Sequence, residues 1–288
     1  MFDFPRAIEG RLKSPAIDGQ QNNTAIQQYS NMKKQLHVFL TAVMFYTRIP
    51  CPSWIDHSEE ILNKATIYFP FIGWIVGAFG ALVFGLAQLV LPDEIAIFLS
   101  MIATILMTGA FHEDGLGDVC DGFGGGWTKE KILTIMKDSR MGAYGVIGLI
   151  LILGLKFLAL KAFPFFVIGF LLVAHPLSRW VAVWMIFTMD YARENDDDGK
   201  AKPVAKKLSS IEFVIATLFG LIPLSILAFY FKNPLLLGAI LPLILLKKYL
   251  EYYFKKWIGG YTGDCLGATQ QVAEVIIYLS LLMIWKLF

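Results

Sequence analysis

Seven long apolar runs divide this chain and constrain its fold more than any other feature. Each is close to the length of about 20 residues that a helix needs to cross the hydrocarbon core of a bilayer. The chain is 56% hydrophobic and 17% charged, with a mean hydropathy of +0.59, which lies outside the range of soluble domains with a polar exterior. The runs lie near residues 67–91, 95–111, 141–163, 164–189, 211–231, 234–254 and 271–288. The sequence therefore predicts an all-α fold, a polytopic membrane bundle of about seven transmembrane helices.

The N-terminal region has a different character. Residues 1–32 are polar and lack the continuous apolar core of a signal peptide. We expect them to form a loosely ordered extension, followed by a single integral-membrane domain over 33–288. The apolar stretch 36–46 is too short to span a bilayer, which favours an interfacial or re-entrant segment.

The distribution of basic residues predicts the orientation, because Lys and Arg are retained on the cytoplasmic side of a membrane. With the N-terminus inside, the loops 112–140, 190–210 and 247–270 all lie in the cytoplasm, and they carry most of the loop Lys and Arg residues. The loop 92–94 carries none. Every loop with a recognisable motif is thereby predicted on the cytoplasmic face. The net charge of +2 is too small to indicate a nucleic-acid partner.

An acidic segment directly follows the second apolar run. Four carboxylates fall within the nine residues 113–121. On a helix, Asp114, Asp118 and Asp121 would share one face at i, i+4 and i+7, where like charges repel unless a cation offsets them. A hard divalent cation such as Mg²⁺ suits an all-oxygen site. The segment therefore predicts a Mg²⁺ site at the membrane edge and chemistry on a phosphorylated substrate, with a solvated loop of ordinary charges as the alternative.

The loop continues through glycines into a second charged stretch. The glycines at 122–126 should end the acidic helix, and Thr128 is placed to cap a short helix after it. Lys137 and Arg140 suit phosphate oxygens, and Asp138 is placed to complete the metal site.

A glycine-rich segment at 258–274 is the second candidate for a site. Four glycines surround Asp264, so the segment could wrap a ligand, with Thr262 as a hydroxyl donor. Glu274 lies inside the last apolar run, where an acid is costly unless it faces a partner. The alternative is a helix-breaking turn with close-packed small residues.

Three arginines are weaker candidates. Arg179 lies within an apolar run, where an arginine indicates function by default, and Glu274 or Asp264 could pair with it. Arg193 could hold phosphate. Arg48 is either a ligand contact or an interfacial anchor whose head group reaches water.

In combination, these segments resemble the cobalamin synthase family, also described as adenosylcobinamide-GDP ribazoletransferases or cobalamin (5'-phosphate) synthases. The resemblance covers about 34–280, and its motifs follow one another in the family order. Glu113, Cys120 and Cys265 depart from the pattern, which leads us to expect less polar or hydroxyl residues there. The matching segments are 45–50, 68–70 with Gly73 and Gly77, 112–122, 135–145, 177–180, 191–193 and 259–274.

The resemblance implies the last joining step of cobalamin assembly at the cell inner membrane. Adenosylcobinamide-GDP and α-ribazole, or α-ribazole 5'-phosphate, would give adenosylcobalamin, or its 5'-phosphate, and GMP, with Mg²⁺ as cofactor. A homo-oligomer and association with other enzymes of cobalamin biosynthesis fit the same picture.

The resemblance also suggests roles for individual residues. The expected metal ligands are Asp114, Asp118 and Asp121. The residues expected to act in catalysis, as a base, a second metal site or diphosphate contacts, are Asp138, Asp264, Glu274, Lys137 and Arg140. The residues expected to bind substrate are Arg48, Arg179, Arg193, Tyr261 and Thr262.

Two other functions compete with this one. A CDP-alcohol phosphotransferase would also use aspartates and a metal, and Asp114-Gly115 begins like its signature, but the Ala-Arg pair and the later aspartates of that signature do not follow. An ion-coupled transporter could use Arg179 and Glu274 within the membrane. Its weakness is that most charges lie in loops.

Overall fold

The computed structural model describes residues 17–55, 58–163, 166–193 and 208–287, with side chains from residue 32 onward. Residues 1–16 of the expected extension and residues 194–207 of the loop 190–210 lie outside the described residues. In the described ranges the protein is helical, and the single β-bridge, between Tyr191 and Tyr261, lies outside any strand. The predicted all-α membrane fold is confirmed.

Eleven α-helices occur in the described part of the chain. They are α1 Ile17–Tyr46, α2 Glu59–Ala65, α3 Phe69–Ala87, α4 Asp93–Thr108, α5 Phe111–Gly125, α6 Lys129–Ile135, α7 Ala143–Lys161, α8 Val167–Thr188, α9 Ser210–Tyr230, α10 Ile240–Ile258 and α11 Gly263–Lys286. Two 3₁₀ helices, Thr66–Tyr68 and Pro234–Ala239, precede α3 and α10.

The described residues fall into two compact units, divided between residues 37 and 38. In the first unit the chain is helical from Ile17, whereas the polar composition led us to expect loose order. The second unit contains the remaining helices. The apolar stretch 36–46 forms the last part of α1, in which Val38, Ala42 and Val43 are buried.

Fewer helices are suited to crossing a membrane than the seven expected. Within the described residues five are long and apolar enough, α3 together with the preceding Glu59–Ala65 segment, α7, α8, α9 and α11. A sixth span is possible only if α4 and α5, which meet at 88°, count as one broken or re-entrant segment. Helix α10, predicted as a span, is not among them because its second half carries Lys247, Lys248, Glu251, Lys255 and Lys256.

The sharp bend between α4 and α5 turns the acidic helix away from the preceding apolar run. Gly109 and Ala110 both adopt left-handed backbone conformations, with φ of 66° and 57°, which ends α4. Arg48 lies against this turn: its backbone N–H donates to the Met107 carbonyl at 2.7 Å. A Cβ on Gly109 would lie 2.2 Å from Arg48 Nε, so a larger residue there would have to displace the Arg48 side chain, and the positive φ of Gly109 also favours glycine.

Helices α8 and α11 form the centre of the bundle and are the most buried of the candidate spans. Helix α3 packs closely on α8, because a Cβ on Gly73 would lie 2.5 Å from the Pro176 Cα. The side chains of α7 and α9 are largely apolar and exposed, as expected of helices that face lipid. The acidic helix α5 packs against α11 and α7, which brings the two glycine-containing motifs of the sequence together.

Candidate active site

Two glycines allow α5 and α11 to approach each other closely. A Cβ on Gly115 would lie 3.0 Å from the Cα and carbonyl oxygen of Asp264, and a Cβ on Gly267 would lie 3.1 Å from the His112 carbonyl oxygen. Small residues at such a contact let helix backbones meet. Asp264, in the first turn of α11, is therefore held beside the part of α5 that carries Asp114 and Asp118.

The resulting group of carboxylates is strongly repulsive. Helix α5 is formed as the acidic pattern requires, with Asp114 exposed and Asp118 half-buried. The ionised form of Asp118 is opposed by burial and by the charges of Asp264, Asp114 and Asp121, while Arg193 favours it. A cluster of this kind attracts cations.

Arg193 joins this acidic group from the loop after α8. Its Nη2 lies 3.3 Å from Asp264 Oδ2. Backbone hydrogen bonds fix the loop beside α11, since the Ala192 N–H donates to the Tyr261 carbonyl and the Tyr261 N–H donates to that of Asp190, at 2.8 and 3.1 Å. Arg193 is thus positioned next to the carboxylates by the short bridge between residues 191 and 261.

Tyr261 and Thr262, expected as substrate contacts, are fully buried. The Thr262 hydroxyl accepts a hydrogen bond from the Cys265 N–H as the N-cap of α11 and donates to Asp264 Oδ2 at 3.3 Å. In this structure both residues support the start of α11. Gly263 and Gly267 lie within the helix, so the segment 258–274 is mostly helical and only its first residues form a loop.

Asp121 has a different environment from the other two aspartates of α5. Its carboxylate oxygens accept hydrogen bonds from the backbone N–H groups of Gly142 and Gly145, at 2.6 and 2.9 Å. These amides belong to the start of α7, whose positive end favours a carboxylate. Asp121 therefore fixes the beginning of α7 relative to α5, in addition to any part it takes in binding a cation.

The charged stretch after the glycines forms the expected short helix α6. Thr128 caps it by accepting a hydrogen bond from the Lys131 N–H at 3.3 Å. Beyond it, Arg140 Nη2 binds Asp138 Oδ2 at 2.7 Å, on the surface. Hydrogen bonds from Arg140 lower the pKa of Asp138 to about 2. Asp138 is paired with Arg140 in this structure.

Arg179 and Glu274 lie in the interior of the bundle, both about 1% exposed. Glu274, half-way along α11, pairs with Lys156 Nζ at 2.6 Å and accepts a hydrogen bond from Tyr278 at 3.2 Å. Arg179 donates to the His175 carbonyl at 2.9 Å. The sequence led us to pair Arg179 with Glu274 or Asp264, and it did not lead us to Lys156. The position of Lys156 within the third apolar run could have indicated this ion pair, because a lysine inside a membrane span needs a partner.

The buried network extends to the acidic helix. Gln270 donates to Glu274 at 2.9 Å and Gln271 donates to Gln270 at 3.0 Å. Gln271 also donates to Glu113 Oε1 at 2.8 Å. Glu113 departs from the expected family pattern. It connects the buried network to helix α5, one residue before Asp114.

The donor set fits Mg²⁺ without forming a complete cage. Within the described ranges no three His, Cys, Asp or Glu side chains converge as a preformed metal site. Mg²⁺ is usually held by one or two carboxylates together with waters and substrate phosphates, and Asp114, Asp118 and Asp264 are the residues here that could supply such carboxylates.

A family model described as cobalamin-5-phosphate synthase matches residues 38–282. The chain belongs to the cobalamin-5-phosphate synthase family. The match includes α5, the loop with Arg193 and α11 up to residue 282, and so all the residues that form the carboxylate group.

Two similar proteins carry the name adenosylcobinamide-GDP ribazoletransferase. That of Leptospira interrogans serogroup Icterohaemorrhagiae serovar copenhageni (strain Fiocruz L1-130) is 45% identical over 264 residues, covering 89% of this chain and 99% of the relative. That of Shewanella frigidimarina (strain NCIMB 400) is 48% identical over 260 residues, covering 87% and 96%. No solved structure matches the chain. These matches support neither the CDP-alcohol phosphotransferase nor the transporter alternative.

Proposed function

We propose that this protein is an Mg²⁺-dependent adenosylcobinamide-GDP ribazoletransferase. It transfers the phosphocobinamide part of adenosylcobinamide-GDP to α-ribazole, or to α-ribazole 5'-phosphate, and releases GMP. The names of the relatives support this reaction. The observation that carries it in this chain is the group of carboxylates on α5 and α11 with Arg193 beside it, a combination suited to a metal-bound diphosphate.

The reaction is a displacement at phosphorus. The ribazole hydroxyl oxygen forms a bond to the phosphorus that carries the cobinamide arm, and the bond from this phosphorus to the bridging diphosphate oxygen breaks. The hydroxyl proton passes to a base, and GMP leaves with the electron pair of the broken bond. Negative charge gathers on the phosphoryl oxygens, so Arg193 favours the transition state from its place beside Asp264.

Asp114 and Asp118 are proposed to hold Mg²⁺, which supplies charge neutralisation at the diphosphate when bound. The negative charge of Asp264 acts on both of these carboxylates, and Asp264 is proposed as the group that accepts the hydroxyl proton. Asp264 is preferred for this role because it belongs to the carboxylate group beside Arg193. Asp138 lies on the surface beyond α6, and Glu274 is buried against Lys156.

We propose that the site faces the cytoplasm and that the membrane is the cell inner membrane. Lys129, Lys137 and Arg140 follow α5, and Lys255 and Lys256 end α10 directly before α11. Such basic loops are retained in the cytoplasm. The exposed apolar faces of α7 and α9 suit lipid, and they equally suit a second copy or another enzyme of the pathway, which the particle mass in detergent would distinguish.

Metal removal tests the proposed reaction. The purified protein is expected to release GMP from adenosylcobinamide-GDP and α-ribazole in the presence of Mg²⁺, and to lose at least about 100-fold of this rate in EDTA. Adding back Mg²⁺ should restore the rate. GMP formation that is indifferent to EDTA would exclude the metal, and no product from folded protein would exclude the reaction.

The same measurement in oriented vesicles tests the sidedness. Inside-out inner-membrane vesicles are expected to turn over externally added substrates, whereas sealed right-side-out vesicles are not until detergent opens them. The reverse pattern would place the site on the opposite face.

The close contact at Gly115 gives a further prediction. Gly115→Val would insert a branched side chain where even a Cβ lies 3.0 Å from the Asp264 backbone, separating α5 from α11. A displacement of about 1 Å can cost on the order of 100-fold in rate, and we expect kcat for GMP release to fall by about that factor.

Gly154 provides the matched control for this change. A Cβ at Gly154 of α7 meets nothing within 4 Å. Gly154→Val should therefore leave kcat within about twofold of the wild-type value, because the substitution changes only the helix propensity of this position, and by a modest amount. Equal losses at the two positions would mean that the α5–α11 contact has no special role.

A further inference from the structure

A basic pocket lies next to the carboxylate group. It measures about 530 Å³ and is bordered by α6, by the loop before Arg193 and by Gly259 at the end of α10. Three cationic side chains line it, those of Lys129, Lys137 and Arg193. The volume lies within the range of small-molecule sites.

Arg193 belongs to both the pocket and the carboxylate group. It lines the pocket and also lies 3.3 Å from Asp264. Its Nε is buried and makes no hydrogen bond within the described residues, so it can still donate to a ligand. A diphosphate at Arg193 would have one phosphorus towards the carboxylates and the other towards Lys129 and Lys137.

We propose that this pocket binds the guanosine monophosphate half of the donor substrate and holds GMP as the leaving group. The assignment rests on the proposed function and goes beyond it by separating the substrates in space. The nucleotide lies on the α6 side of Arg193, and the cobinamide arm and the ribazole approach from the side of Asp114 and Asp118.

The charged side chains of the pocket match the chemistry of the guanosine monophosphate half of the substrate. When the bond to the bridging oxygen breaks, the electron pair stays with GMP, which gains a negative charge at its phosphate. Lysine and arginine donors stabilise that charge. The pocket also offers two carboxylates, Glu130 and Asp190, and the half-buried ring of Tyr191. Guanine presents N–H donors to a carboxylate along its pairing edge, and its face can stack on an aromatic ring.

Direct GMP binding tests the assignment without turnover. With full-length protein in detergent, Lys129→Ala is expected to raise the Kd of GMP about tenfold, as the loss of one charge-assisted contact implies. Lys131→Ala is the matched control, because Lys131 is an exposed residue on the same short helix and does not line the pocket. It should leave the Kd within about twofold.

Base recognition is tested with AMP. The wild type is expected to bind GMP at least about tenfold more tightly than AMP, and the double variant Glu130→Gln/Asp190→Asn should lose most of this preference. Equal affinities of the wild type for GMP and AMP would overturn guanosine recognition.

Steady-state kinetics distinguish the nucleotide from the other phosphorylated substrate. Lys129→Ala should raise the KM of adenosylcobinamide-GDP about tenfold and leave the KM of α-ribazole 5'-phosphate unchanged. A rise only in the KM of α-ribazole 5'-phosphate would assign the pocket to that substrate and overturn the proposal, as would equal effects of the Lys129 and Lys131 variants. Lys129-dependent GMP binding in a protein that forms no cobalamin would support the pocket while excluding the proposed reaction.

Discussion

Asp118→Asn is expected to lower kcat for GMP release on the order of 1000-fold. Asparagine preserves the size of the side chain but removes its negative charge. The charges of Asp114 and Asp264 disfavour that charge in the protein alone, and a bound cation would balance it. The measurement is GMP formation at saturating substrate over a range of Mg²⁺ concentrations. Part of the loss should be recovered at high Mg²⁺ if the variant binds the metal more weakly.

The stability of the same variant separates loss of function from loss of fold. Removing one of several repelling carboxylates should leave the unfolding temperature of the metal-free protein unchanged or raise it. Asp93→Asn is the matched control, because Asp93 is exposed in the first turn of α4, outside the carboxylate group. If Asp118→Asn retained activity within about twofold, the metal site would have to lie elsewhere.

The acidic helix and its surroundings could be predicted because their signals are local. The i, i+4 and i+7 spacing required a helix, and α5 provides it. The helix continues through Gly122, Gly124 and Gly125 and ends only at Gly126, later than the start of the glycines suggested, and Thr128 does cap the next helix. Such features depend on residues within about a turn of each other, so the sequence alone carries the information.

The partners of buried charges could not be predicted in this way. Glu274 pairs with Lys156, more than a hundred positions earlier, and Asp121 binds amides at the start of α7. Both contacts depend on which helix faces are adjacent. Apolar periodicity does not specify that choice, since in a membrane bundle the lipid-facing and buried surfaces are similarly apolar.

Fewer helices of the described residues suit a membrane span than the seven predicted, for a related reason. Helix α10 has an apolar first half and a charged second half. Averaging the hydropathy over the whole segment concealed this difference and made α10 resemble a span. The bend at Gly109 and Ala110 depends on a left-handed conformation that alanine rarely adopts, so composition could not reveal that α4 and α5 diverge. The meeting of Asp264 with α5, by contrast, was implied only by the family resemblance and becomes explicable through Gly115 and Gly267.

Lys156→Met should be among the most destabilising single changes in this protein. It would leave Glu274, 1% exposed, without the cation 2.6 Å away. Removing one member of a buried ion pair costs about 3–5 kcal/mol. In a protein of this size such a loss lowers the apparent unfolding temperature on the order of 10 °C, which thermal unfolding in detergent would measure.

Lys161→Met is the matched control on the same helix. Lys161 lies 3.3 Å from Glu94, and both side chains are about half exposed. Because water screens such a surface pair, its loss should lower the unfolding temperature far less than the loss of the buried pair. Similar losses at Lys156 and Lys161 would show that burial does not determine the value of the pair.

The double variant Lys156→Met/Glu274→Gln distinguishes charge balance from packing. If the cost of Lys156→Met arises from the unbalanced charge of Glu274, removing that charge as well should restore part of the stability. The recovery should be incomplete, because Arg179 is also buried and loses the nearby charge of Glu274. If the two losses simply add, packing dominates. Since Gln270 and Gln271 connect Glu274 to Glu113 on α5, the restored double variant should still release GMP more slowly than wild type. The buried pair would then hold α5 in place for Asp114 and Asp118, as well as stabilising the bundle.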